Sequence, residues 1–240
     1  MNLSAPIFRL RREARARSKA ENLPLHAALD AVARREGFTG WSHLARQSAR
    51  AAPGGEPEDL YDRLGPGEMV LLGARPGHGK TLLGLSLLAR AVAADRPAFF
   101  FTLEYHAEQV VDRLRALGID PASLSRHLTL DTSDGICAEY IAAAMETASR
   151  PALAVVDYLQ LLDQRRETPP LGDQVAQLRA LARRSGATFV MIAQIDRRFD
   201  QAGRDIPGAR DIRLPNPLDL RLFDRMCFLH GGRIRVDPAG

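Results

Sequence analysis

From about residue 69 onward, short unbroken apolar runs alternate with stretches in which apolar residues return every three or four positions. Runs of the first kind, bounded by turn formers and apolar without alternation, are the pattern of strands buried on both faces. They predict strands at Met69–Leu72, Ala98–Leu103, His127–Leu130, within Ala152–Leu162, and at Thr188–Gln194. The intervening stretches predict helices at Lys80–Ala94, Ala107–Leu117, Ile136–Ser149 and Asp173–Ser185, the last placing Val175, Leu178, Leu181 and Ala182 on one side. Strand and helix in alternation predict an α/β fold with a mostly parallel sheet covered by helices on both faces. Near the end, Gly231-Gly232 between two apolar stretches is set to turn a final hairpin.

The first fifty residues follow a different pattern. Phe8 to Ala20 is densely charged, Leu25 to Glu36 repeats Leu25, Ala28, Leu29 and Val32 on one face before Gly37, and Thr39 is placed to cap a third helix containing Trp41, Leu44 and Ala45. This reads as a small helical module with its core anchored by Trp41. The Pro- and Gly-rich stretch from Ala51 to Glu58 breaks the composition. The expected organisation is therefore a basic helical module at 1–50, a linker at 51–59, and one α/β domain at 60–240.

Charge sharpens that division. The chain carries a net charge of +4, but residues 1–50 hold ten basic side chains against four acidic ones, a net +6, while the remaining 190 residues, with 23 basic and 25 acidic, come to −2. Two readings of the basic front stand side by side, a surface for nucleic acid or acidic partners and an ordinary solvated face. A helix-turn-helix has no specific signal here. No run approaches the length of a membrane span, and the Arg-rich start lacks the apolar core of a signal peptide, so the expectation is a soluble cytoplasmic protein with no membrane partner. Cys137 and Cys227 stand alone in apolar context and read as core or near-core thiols.

The strongest chemical signal lies between the first predicted strand and helix. Ala74-Arg75-Pro76-Gly77-His78-Gly79-Lys80-Thr81-Leu82 has the form of a phosphate-binding loop, with Ala74 where the strict pattern has Gly and Gly73 placed to relieve the turn. In such a loop, backbone amides at a helix N-terminus cradle phosphates, the lysine reaches the outer phosphates, and the hydroxyl ligands Mg²⁺. Lys80 and Lys19 are the only lysines among 33 basic residues, so a lysine stands where the motif requires one despite a composition that favours arginine.

Two further strand ends carry carboxylates. Asp157 closes Ala154-Val155-Val156 and is the natural partner of Thr81 and the metal. Glu104 closes Phe99-Phe100-Phe101-Thr102-Leu103 and has two open readings, the group that orients an attacking water or the cap of the helix beginning near Ala107.

Taken in order, Gly73 to Thr81, Phe101-Thr102-Leu103-Glu104, Val156-Asp157-Tyr158-Leu159-Gln160-Leu161-Leu162, Leu178-Arg179-Ala180-Leu181-Ala182 and Ala193-Gln194-Ile195-Asp196-Arg197 resemble the motor domain of DnaB-type replicative helicases over roughly residues 60–230. The resemblance implies a RecA-like P-loop NTPase in which Lys80 and Thr81 bind ATP and Mg²⁺, Asp157 supports the metal, Glu104 is the catalytic glutamate, and Gln194 senses the γ-phosphate. It also implies self-association, as in a hexameric ring, and a nucleic-acid loop between Gln194 and about Leu218. That loop holds Arg197, Arg198, Arg204, Arg210 and Arg213, a set suited to the backbone of single-stranded DNA. A solvated, structureless loop is the alternative.

The family also carries a large primase-binding N-terminal domain, where this sequence has about fifty basic helical residues whose partner is unknown. Its arginine that reaches a neighbouring ATP site is matched here only by Arg233 or Arg235. The expected activity is ATP hydrolysis of a DNA helicase-like motor in replication or repair. The alternative is a nucleotide-gated regulatory or binding module of the RecA/KaiC type without unwinding, and a kinase reading finds no legible acceptor site.

Overall fold

The computed structural model describes residues 7–44, 57–146, 148, 150–163, 168–201, 204–214 and 216–238. They fall into two compact units, Met1–Glu56 with Gly231–Arg233, and Pro57–His230 with Ile234–Gly240. In the first, α1 (Ile7–Ala20) and α2 (Leu25–Arg35) are followed by a single helical turn at residues 41–44. Leu10, Ala14, Ala28, Val32, Ala33, Phe38 and Leu44 form its core. Trp41 is only partly buried against that core, so the expected tryptophan anchor gives way to Phe38, Leu10 and Leu44. Leu25, expected on the buried face, is 43% exposed, because α2 starts there, beyond the reach of the packed face. Ala45 and residues 51–56 of the expected linker lie outside the described residues.

The second unit is a seven-stranded sheet. Its strands are β1 (Met69–Ala74), β2 (Ala98–Thr102), β3 (Leu128–Asp131), β4 (Leu153–Asp157), β5 (Thr188–Gln194), β6 (Arg225–His230) and β7 (Arg233–Pro238), in the spatial order β3-β2-β4-β5-β1-β6-β7. All the pairings from β3 through β6 are parallel. The helices are α3 (Lys80–Ala93), α4 (Ala107–Ala116), α5 (Pro121–Leu124), α6 (Ala138–Met145) and α7 (Leu171–Ser185). Successive side chains of a strand point to opposite faces. Met69 and Leu71 accordingly join the layer under α6 and α7, while Val70 and Leu72 join the layer under α3 and α4.

Because both layers are apolar, the central strands β1, β2 and β4 are buried at every position, which is why they read in the sequence as unbroken hydrophobic runs. β7 returns beside β6 through Gly231 and Gly232, both at positive φ (62° and 81°), the geometry of a tight hairpin turn. α6 is shorter than the expected Ile136–Ser149; it runs from Ala138 to Met145, and residues 147 and 149 lie outside the described set.

Two features set the sheet's geometry. Helix α3 lies close on the sheet at Gly84, where an added Cβ would stand 3.0 Å from Val155 Cγ1 and 3.3 Å from Ile192 Cδ1. At the amino ends of the strands, Arg96 donates from Nε to the Pro151 carbonyl (3.0 Å) and from Nη2 to the Ala152 carbonyl (2.8 Å) and Thr188 Oγ1 (2.7 Å). Thr188 Oγ1 in turn donates to the Gly65 carbonyl at 2.8 Å, so the approaches to β1, β2, β4 and β5 are stitched together. Among the described residues no helix is long and apolar enough to cross a membrane.

Candidate functional site

The opposite rim, at the carboxyl ends of the strands, gathers the predicted chemistry. β1 ends at Ala74, and residues 75–79 turn directly into α3. Gly77 (φ 77°) and Gly79 (φ 88°) occupy the left-handed region that side chains disfavour, and the His78 amide donates to the Arg75 carbonyl at 3.1 Å to close the turn. Ala74 is a strand residue in register with Gln194 on one side and Leu229 on the other, so this position has no need of glycine. Gly73 does not relieve the turn. It sits within β1, where a Cβ would meet Ile195 Cδ1 and the Phe228 ring at 3.1 Å, and glycine is there for close packing. The first turn of α3 leaves its backbone N–H groups free toward the loop, with the positive end of the helix dipole behind them. Leu82, at 38% exposed, turns its side chain outward.

Behind the loop, Lys80 and Thr81 are each only 5% exposed and Asp157 is fully buried. Thr81 Oγ1 donates to Asp157 Oδ2 at 2.6 Å, and Lys80 Nζ lies 3.3 Å from Asp157 Oδ1 and 2.8 Å from Glu104 Oε2. The ammonium also sits 5.9 Å from the centre of the Tyr158 ring. Burial works against the charged form of Lys80, but attraction to Asp157 and Glu104 outweighs it and holds the lysine above its ordinary value. For Asp157 burial prevails, and its carboxyl is raised despite Lys80 and the Thr81 hydroxyl. The Thr81 hydroxyl and the Asp157 carboxylate are hard oxygen donors side by side, the kind of pair that holds Mg²⁺ together with a ligand's phosphates.

Glu104 lies just beyond β2, its backbone N–H donating to Thr102 Oγ1 at 3.1 Å. It does not cap α4; there the His106 amide donates to Gln109 Oε1 at 3.1 Å. Its free carboxylate oxygen accepts from the Tyr105 hydroxyl at 3.2 Å, a partner the sequence reading missed although it is the adjacent residue. Gln194 ends β5 beside Ala74, half-buried, next to the start of the loop.

The arginine-rich stretch is more ordered than a structureless loop. The Asp196 amide donates to the Asp211 carbonyl (2.7 Å) and the Arg213 amide to the Gln194 carbonyl (2.8 Å), and 3-10 turns form at Arg197–Gln201 and Ala209–Asp211. Gly203 lies outside the described residues. Arg204 is committed internally, with Nη1 2.9 Å from Asp211 Oδ2, a second bond from Nη2 to Oδ1, and its guanidinium over the Phe199 ring at 5.5 Å. Phe199 itself is 3% exposed, which removes it as a stacking surface for bases. Arg197 and Arg198 point to solvent, the Arg198 side chain at 93% exposure. Arg235 donates to the Pro207 carbonyl at 3.0 Å and pairs with Asp237 at 3.0 Å, whereas the buried Nε of Arg233 has no hydrogen-bond partner.

Two contacts join this stretch to the loop. Arg75 pairs through Nε and Nη2 with the two carboxylate oxygens of Asp200 (3.0 and 2.7 Å) and through Nη1 with the Ile195 carbonyl (3.1 Å). His78 stacks on His230 with ring centres 4.3 Å apart, and Phe199 meets the other side of that cluster edge-on at 5.1 Å from His230. Neither Asp200 nor His230 was singled out from the sequence, because each acts through a partner far away in the chain.

A parallel sheet with such a loop at its switch point, and acids on the adjacent strand ends, is a RecA-like P-loop NTPase fold. Solved structures agree. The chain is similar to the ATPase domain of G40P (TM-score 0.55, 18% identity, 77% of this chain and 80% of that one). It is also similar to a DnaB-like replicative helicase whose structure describes its interactions with primase (TM-score 0.60, 16% identity, 92% and 64%), and to the KaiC-like protein PH0186 of Pyrococcus horikoshii (TM-score 0.52, 16% identity, 72% and 90%). At these identities the likeness is one of fold.

Residues 58–134 match the family described as the DnaB-like helicase C terminal domain. It is 25% identical over 212 residues to the replicative DNA helicase DnaB of Haemophilus influenzae and 28% identical over 202 residues to that of Helicobacter pylori. These alignments take in 73% and 70% of this chain but only 45% and 41% of the relatives, so the chain spans less than half the length of the curated proteins it matches.

Proposed function

We propose that this chain is a Mg²⁺-dependent ATPase of the helicase-motor kind that assembles with copies of itself, as in a ring, and acts on single-stranded DNA in the cytoplasm. The observation that carries the reading is the convergence of Lys80, Thr81, Asp157 and Glu104 at the mouth of the residue 75–79 loop. The residues fit the ligand: two glycines at positive φ bring amides toward an anion, and at Gly77 the space a Cβ would fill has no atom within 4 Å. Mg²⁺, held by Thr81 with the support of Asp157, supplies charge neutralisation at the outer phosphates when bound.

In this mechanism free backbone amides of the loop and of the first turn of α3, between Gly77 and Leu82, cradle the phosphates, and Lys80 exchanges its Glu104 partner for them. Glu104, released from the ammonium, accepts a proton from the attacking water and orients it for in-line attack, while the Tyr105 hydroxyl holds its other oxygen. Gln194, on the strand next to Ala74, is placed to report the occupancy of the outer phosphate position. DNA is contacted by Arg197 and Arg198; Arg204 serves to shape the segment. Of the two arginines expected to reach a neighbouring copy, Arg235 is engaged within its own chain, which leaves Arg233. The basic helical unit is read as a separate domain. A regulatory module without a motor role is not favoured, since the sequence matches run to replicative helicases.

Replacing Lys80 by Ala is expected to lower ATP turnover by about 10²-fold or more, and Glu104→Gln by about 10² to 10⁴-fold with nucleotide binding retained. Oligo(dT) is expected to stimulate hydrolysis in the parent, with the stimulation lost in Arg197→Ala/Arg198→Ala. Undiminished turnover in Lys80→Ala would remove this loop as the site.

A further inference from the structure

The bidentate pair between Arg75 and Asp200 is unusual in its placement, because Arg75 belongs to the phosphate-loop motif and Asp200 to the turn that displays Arg197 and Arg198. The Arg75 side chain is 14% exposed while that of Asp200 is 52% exposed, so the pair is anchored from the loop side. The ring cluster of His78, His230 and Phe199 makes a second, stacked connection between the same two segments. The Arg197–Gln201 turn is otherwise anchored by the buried Phe199 side chain, while its backbone makes only local bonds, the Arg198 amide to Asp196 Oδ1 (2.8 Å) and the Phe199 amide to the Asp196 carbonyl (3.2 Å).

An anion in the loop and the Asp200 carboxylate attract the same guanidinium. We propose that Arg75 and Asp200 form a latch that holds the Arg197–Gln201 turn against the loop and releases it when a polyphosphate takes over the guanidinium. This rests on the reading of residues 74–82 as a nucleotide site and names the positioning residue, Asp200, through which that site governs the exposed arginines. Linkage makes the effect reciprocal: whatever weakens the latch favours nucleotide, and nucleotide loosens the turn.

The test compares the parent chain with Asp200→Asn and Asp200→Glu, all at an exposed position outside the binding machinery. Amide hydrogen exchange is followed at residues 197–201, and Mg-ADP affinity is measured in parallel. In the parent, Mg-ADP is expected to speed exchange at residues 198 and 199. In Asp200→Asn that exchange is already fast without nucleotide and unchanged by it, and Mg-ADP binds about two- to fivefold tighter, the scale of an exposed ion pair removed as competitor. Asp200→Glu, which keeps the charge, restores the parental behaviour. If the parent binds Mg-ADP and exchange at 198 and 199 does not respond, or if Asp200→Asn leaves both readouts at parental values, the latch is overturned while the nucleotide site stands. Failure of the parent to bind Mg-ADP overturns the site reading and the latch with it.

Discussion

Glu68 shows how one side chain couples stability to pH. Its carboxylate pairs with Arg225 through two bonds of 2.9 Å and accepts the Gly65 amide at 2.9 Å. Burial alone would raise its pKa, but Arg225 and the Gly65 amide together outweigh burial and hold it below the ordinary 4.5. A carboxyl lowered by folding adds stability that is present in full above about pH 4.5 and is lost as pH falls through the lowered folded value. Glu68→Gln is therefore expected to lower stability by about 1–3 kcal/mol at pH 7, with the difference in urea denaturation shrinking as the pH falls below the ordinary 4.5. A variant difference that persists undiminished at low pH would exclude this origin. At this scale the sequence shows residues whose role follows from motif spacing, such as Lys80, Thr81 and Asp157. It does not show pairs such as Arg75 and Asp200, 125 positions apart, since their meeting is a property of the folded sheet. The same limit explains Arg204, which reads as one more basic residue of a loop until Asp211 is seen to neutralise it.

Elements were most legible where burial is symmetrical. β1, β2, β4 and β5 lie between two apolar layers, so their continuous hydrophobic runs mark β1, β2 and β5 within a residue or two and place β4 inside the longer apolar stretch Ala152–Leu162. β3 pairs only with β2 and is nowhere fully buried, and its run is correspondingly short. The order of the arginine-rich stretch was not legible, because it comes from backbone bonds back to Gln194 and Asp196, which leave no periodic trace in side-chain polarity. Helix α3 contains Gly84 in its interior, which costs about 0.5–1 kcal/mol of intrinsic helix stability relative to alanine. The structure shows why it is there: the helix axis approaches the sheet more closely than a methyl group allows at Val155 and Ile192. Gly84→Ala is accordingly expected to destabilise by about 1–3 kcal/mol in spite of the better propensity, read as a lower thermal midpoint. A gain in stability would mean the helix shifts outward freely, and the loop at its N-terminus with it.

At the scale of the α/β unit, the two rims of the sheet are built differently. One is joined by backbone carbonyls, Thr188 and a single guanidinium; the other carries the loop, the acids and the arginine turn. Arg96→Ala removes the donor to the Pro151 carbonyl and to Thr188 Oγ1 and leaves the Ala152 carbonyl with the Thr188 amide alone, and is expected to cost about 1–3 kcal/mol. Mg-ADP affinity at 20 °C, titrated on the folded protein, is expected to stay within about twofold of the parent, since the ligand's partners lie at the far rim. A large loss of affinity without loss of stability would contradict that separation. The consequence of the Arg96 stitch reaches beyond any single assay. A protein whose rigidity is secured far from its ligand has room to wander in sequence at the working rim, exchanging turns and charges there without forfeiting the ability to fold.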